Sequence, residues 1–177
     1  MNYHNITYPD MNNGDGLRVV LWLSGCSHRC FNCQNPQTWD VNSGIPFDES
    51  AKEELFRELD KDYISGLTLS GGDPLHEANL DGILDLVNEI RLSLPNKSIW
   101  LYSGYSFEDC LIKPKVCEEN IFRALRYGII KNVDVMVDGR YIDSQRDTTL
   151  KWKGSSNQRV IDCQQSLGQG KVVLWDK

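Results

Sequence analysis

Residues 17–24 (LRVVLWLS) form a nearly continuous apolar and β-branched run that stops at Gly25, and three cysteines follow within eight residues. An unbroken run of this length fits a strand buried on both faces, so it must lie inside a sheet covered on each side. The cysteine loop is then pinned to the end of that strand. The same arrangement recurs along the chain. A short strand at 66–70 runs into Gly71-Gly72-Asp73-Pro74, one at 98–102 is closed by Ser103-Gly104, and one at 132–137 is ended by Asp138-Gly139. Between them lie helical patterns. Ser50 and Glu53 form a capping box that opens a helix to about Lys61. Leu80, Ile83, Leu84, Val87, Ile90 and Leu94 make one apolar stripe on a helix over about 78–94. A turn near Phe107 and a helix over about 118–127 follow, and 171–175 reads as an edge strand.

Alternation of strand and helix predicts parallel βα units in one sheet. The chain has 177 residues, too few for a closed eight-fold barrel of about 250. The expected fold is therefore α/β, a single-domain open or partial βα barrel with a mostly parallel sheet, spanning 1–177 with a variable tail at 161–177. Loops at the carboxyl ends of strands are where such folds bind ligands.

Composition narrows the setting. A 40% hydrophobic and 25% charged chain is an ordinary globular composition. No apolar stretch approaches the roughly 20 residues of a membrane helix, and the opening MNYHNITYPD lacks the pattern of a secretory signal. The expected location is cytoplasmic, with no membrane partner. A net charge of −6 without a basic run argues against nucleic-acid binding.

Cys26, Cys30 and Cys33 are spaced C-x3-C-x2-C, while Cys110, Cys117 and Cys163 are scattered. Clustered thiols in a cytosolic chain read first as metal ligands. A structural zinc site wants four closed ligands, and the local count is three. His28 lies too close to Cys26 and Cys30 to make a comfortable fourth. Three thiolates on a four-iron cluster would leave one iron open for a substrate or cofactor. Spacing alone leaves an open 4Fe–4S cluster, a zinc site or neither.

C-x3-C-x2-C after a first strand, with Gly-Gly-acid-Pro after a later one, resembles the radical S-adenosylmethionine superfamily. The blocks Asn13 to Arg18, SGCSHRC (24–30), TWDVNSG (38–44), LSGGDPLH (69–76), VDGRY (137–141) and WKGSSNQR (152–159) narrow this. Together they resemble the family of anaerobic ribonucleoside-triphosphate reductase-activating proteins. The pattern departs at Gln34, where that family has a tyrosine, and at Asp15, where it has a proline.

The resemblance implies that Cys26, Cys30 and Cys33 carry the 4Fe–4S cluster and are the catalytic set. It implies that the open iron binds S-adenosylmethionine, which is cleaved reductively to a 5′-deoxyadenosyl radical. That radical would take hydrogen from a glycine of the anaerobic reductase, the partner protein. A reduced flavodoxin-like protein is the implied electron donor. Asn32, Cys33, Gln34, Gly71, Gly72, Asp73, Ser103 and Asp138 are the candidate cofactor-binding residues, and Arg140 and Arg159 are candidates for meeting the partner or for plain solvent exposure. The competing readings are another small enzyme of the superfamily, of the pyruvate formate-lyase activase or deazaguanine synthase type, and a non-catalytic zinc-binding module.

Overall fold

In a computed structural model, which describes residues 1–111 and 121–176, the buried run becomes β2 (Arg18–Leu23). It pairs in parallel with β4 (Gly66–Gly71), β4 with β5 (Ser98–Ser103), and β5 with β6 (Val135–Asp138). Antiparallel strands flank this centre. β1 (Asn2–Asp10) pairs with β2, β3 (Ile45–Pro46) with β1, and β7 (Arg159–Asp162) with β6. The result is one mixed, open sheet in the order β3-β1-β2-β4-β5-β6-β7.

Side-chain parity sorts the two faces of the sheet. Val19, Leu21, Leu23, Leu67, Leu69, Ile99, Leu101, Met136 and Ile161 share the main core with residues of the five helices found among the described residues. These are α1 (Glu49–Leu59), α2 (Leu80–Ser93), α3 (Phe107–Cys110), α4 (Ile121–Ile130) and α5 (Cys163–Gln169). Parallel crossovers of one hand, stepping one way along a sheet, put their helices on one face. The opposite face carries the alternate residues, among them Arg18, Trp22, Thr68, Ser70, Trp100 and Tyr102. No described helix covers it. Trp100 instead meets Trp152 and Trp175 edge-on, at 5.0 and 5.8 Å between ring centroids.

Several local expectations shift. Asp48, not Ser50, caps α1 by accepting from the Ala51 amide at 3.0 Å. A carboxylate is a strong N-cap, and it starts the helix two residues early. A 3₁₀ turn (Glu77–Asn79) precedes α2. The turn at Phe107 is the short helix α3, closed by a Ser106–Asp109 capping box. Of the helix expected over 118–127, residues 118–120 lie outside the described residues, and Ile121–Ile130 is helical. Residues 171–175 form no named strand, yet Asp162 N donates to Val173 O and Trp175 N to Val160 O, at 2.9 and 2.8 Å. No described helix is long and apolar enough to cross a membrane.

Candidate functional site

Gly25 turns the chain out of β2 with φ at +93°. Its amide donates to Thr38 O at 2.7 Å, and that of Cys26 to Trp39 O at 3.0 Å. The loop then coils through two left-handed residues, Arg29 at φ +45° and Asn32 at φ +53°. Asparagine tolerates that region; arginine is uncommon there. The coil brings the half-buried free thiols of Cys26, Cys30 and Cys33 to one cleft. Main-chain amides point at two of the sulfurs: those of His28 and Arg29 at Cys26, and that of Asn35 at Cys33 Sγ, 3.4 Å away. Burial, with Asp73 nearby, pushes the Cys26 thiol up to about 11.

The end of β4 forms the facing wall. Gly71 sits at φ +95°, and a Cβ there would lie 2.8 Å from Leu23 N. A Cβ on Gly72 would lie 2.7 Å from Gly25 O. Only a chain without side chains here can run this close to the cysteine loop, and Gly72 N and Asp73 N donate to Leu23 O and Gly25 O, each at 2.8 Å. The Asp73 carboxylate is buried and accepts from Leu75 N (2.8 Å), Ser103 Oγ (2.9 Å) and Gly104 N (3.0 Å). Asp73 and Ser103, singled out separately in the sequence, therefore touch one another. Asn79, not singled out, ties the two loops by donating to Ser24 O and Asp73 O, at 2.8 and 3.0 Å.

The cleft has a volume of about 580 Å³ and is lined by Cys26, Cys30, Cys33, Gln34, Gly71, Gly72, Asp73 and Ser103. Asn32 and Asp138 are not on its lining. Asn32 is exposed in the left-handed turn. Asp138 is buried at the end of β6, where it accepts from Phe107 N at 2.9 Å and Arg159 Nε at 3.0 Å. Arg159 also forks onto Glu108 at 2.9 and 2.7 Å, so it ties β6, β7 and α3 together and is not a free arginine. Sequence reasoning passed over His28, Tyr102, Arg146, Lys153 and Gln158 as lining residues. Tyr102 had a readable signal, since it shares the parity of Ser70 and Trp22 on the helix-free face. Arg140 crosses the cleft to donate to His28 O.

Among the described residues, no three His, Cys, Asp or Glu side chains converge tightly enough to hold a single metal ion. A closed mononuclear zinc site needs that convergence. The chemistry of the donor set fits an iron–sulfur cluster: thiolates are its usual ligands, and amide donors to sulfur are what tune such clusters. Cys110 and Cys163 are buried in the core. Cys117 lies outside the described residues.

The sequence is similar to those of known proteins. The family described as a 4Fe-4S single cluster domain matches residues 12–161. An anaerobic ribonucleoside-triphosphate reductase-activating protein from Escherichia coli K12 is 39% identical over 162 residues, covering 90% of this chain and 97% of its own length. That of Enterobacteria phage T4 is 42% identical over 160 residues, covering 90% and 93%. That of Vibrio cholerae is 37% identical over 162 residues, covering 90% and 97%. With its cysteine loop at the carboxyl end of a parallel strand in a mixed sheet and similarity of this extent, the chain belongs to the family of anaerobic ribonucleoside-triphosphate reductase-activating proteins.

Proposed function

We propose that this protein is a radical S-adenosylmethionine enzyme that places a glycyl radical on an anaerobic ribonucleoside-triphosphate reductase. The observation that carries the reading is the shared cleft: three thiols on one wall and the Gly71-Gly72-Asp73 backbone on the other. The open sheet, with its helices on one face, supports a partial barrel of the radical S-adenosylmethionine type in a single domain.

Cys26, Cys30 and Cys33 would hold the 4Fe–4S cluster as its only protein ligands. When bound, the cluster supplies one electron for reductive cleavage of S-adenosylmethionine, the source of the radical that takes a hydrogen atom from the reductase glycine. The chain's own residues bind and orient. Gly71 and Gly72 let a ligand approach the main chain, where the methionine end would sit. Asp73 acts from behind, holding Ser103 Oγ and Gly104 N against that loop. Gln34, on the lining, would face the adenosine in place of the family's tyrosine. Asn32 shapes the turn that aims Cys33, and Asp138 holds the strand end beside Gly139 and Arg140. A flavodoxin-like protein would deliver the electron, in the cytoplasm.

The test is anaerobic reconstitution followed by spin resonance with S-adenosylmethionine, a reductant and the reductase. Expected are about four irons per chain and a glycyl radical signal that Cys30→Ala abolishes. Colourless protein holding zinc, or a radical formed only on a pyruvate formate-lyase, would overturn the reading.

A further inference from the structure

We infer that His28 is a positioning residue that seats the cysteine loop on the ends of the three next parallel strands. This deepens the function proposed above and rests on it. His28 is the central residue of the C-x3-C segment. Its neighbours Ser27 and Arg29 are exposed, while its own ring turns into the cleft.

Three contacts define its place. His28 Nε2 lies 2.9 Å from Asp73 Oδ2, just past β4. That nitrogen is buried and makes no hydrogen bond of good geometry, so the contact with Asp73 is one of close packing. The ring packs edge-on against Tyr105, past β5, at 4.7 Å between centroids. It also fills the space a side chain at Gly104 would take: a Cβ there would lie 2.3 Å from His28 Cδ2. The main chain adds the third strand, because His28 O accepts from the Arg140 guanidinium past β6.

One residue thus fixes the thiol-bearing loop relative to β4, β5 and β6. Its partner Asp73 belongs to the loop proposed to bind the cofactor's methionine end. Without the ring, the two walls of the cleft keep the main-chain contacts near Gly25 and Gly72 and the Asn79 tie to Ser24 O and Asp73 O, all at the base of the loop. The thiols could still gather iron, but the cluster and the 71–73 loop would lose their fixed spacing. The expected defect is therefore in cofactor affinity, not in iron content.

Equilibrium binding of S-adenosylmethionine to anaerobically reconstituted chains tests this, with iron content and the cofactor-induced change in the cluster's spin-resonance spectrum read in parallel. His28→Ala should keep its iron and bind about tenfold more weakly, the order of loss expected when the ring's packing against Tyr105, Gly104 and Asp73 is removed together. His28→Gln, which keeps a donor toward Asp73, should recover most of that loss. Gly104→Ala should weaken binding in the otherwise native chain by evicting the ring. In the His28→Ala background it should change affinity by less than about twofold, because the ring it would displace is gone. Native affinity in His28→Ala, or an equal loss from Gly104→Ala in both backgrounds, would overturn the inference. If His28→Ala fails to assemble, His28→Gln and Gly104→Ala still decide the matter: native affinity in Gly104→Ala, or no recovery in His28→Gln, overturns it. A native chain that binds no S-adenosylmethionine would instead refute the proposed function.

Discussion

Arg18 is a fully buried arginine with no carboxylate bonded to it among the described residues, so its contribution to stability rests on fork geometry. Its Nε donates to Thr68 Oγ1 at 2.6 Å, Nη1 to Asp15 O and Ser98 Oγ at 3.0 Å each, and Nη2 to Leu67 O and Ser98 O at 2.6 and 3.0 Å. The guanidinium also sits 5.4 Å from the centre of a Trp100 ring. Burial pushes its pKa from 12.5 down to about 10, which corresponds to about 3 kcal/mol against the charged form. Five hydrogen bonds at roughly 1–1.5 kcal/mol each oppose that penalty. Arg18→Met removes both and nearly preserves the volume, so it should destabilise the fold by about 3 kcal/mol. At roughly 2–4 °C per kcal/mol for a chain of this size, Tm should fall by about 6–12 °C. Arg18→Lys keeps the buried charge but cannot span the same acceptors, and should be no more stable than the methionine variant. Anaerobic calorimetry of the three chains is the assay. A methionine variant within about 2 °C of the native Tm, or a lysine variant clearly above the methionine one, would refute the reasoning.

Gly71→Ala forces a side chain into a left-handed position with its Cβ 2.8 Å from a main-chain nitrogen; a stability loss of about 2 kcal/mol or more should appear as a lower urea midpoint. Cys110→Ala and Cys163→Ala should leave iron per chain unchanged, since burial pushes the Cys110 thiol up to about 12 and the Cys163 thiol well up; metal analysis checks this, and loss of iron would make either thiol a ligand. Arg159 holds the Glu108 carboxyl below its ordinary value of 4.5. Its folded pKa lies below the unfolded one, so this stabilisation is complete above about pH 4.5 and fades as pH falls through the lowered value. The Tm gap between the native chain and Glu108→Gln should therefore narrow between about pH 6 and about pH 3, and a gap independent of pH would exclude the pairing.

What the sequence made legible was what local pattern encodes. β2 and α2 were readable because one is a solid apolar run and the other an unbroken stripe, and the cysteine and glycine loops were readable because their residue types have few other uses. β1 was not: its apolar residues Tyr3 and Ile6 fall out of alternation, because the register shifts between Tyr3 and Asn5. β7 was hidden in a stretch whose pairing with β6 is a long-range event. The site was legible as a set of strand ends, but not as a network. Asp73 meets Ser103 across 30 residues and His28 across 45, and Asp138 turns to Arg159 and Phe107 and away from the cleft. Which way a buried carboxylate turns depends on donors that other strands deliver, and no local pattern reports them.

The cleft also has an order of manufacture. Its cysteine wall is complete in the chain by residue 33, and the Gly-Gly-Asp wall by residue 73. Much of the rest of the lining comes from positions between Tyr102 and Gln158, and the Arg140 tie to His28 comes from the same late stretch. On the ribosome, the three thiols emerge long before the residues that will shelter them. A nascent or truncated chain ending before about residue 139 presents its thiols without the late part of their lining, while the finished chain presents them inside a pocket.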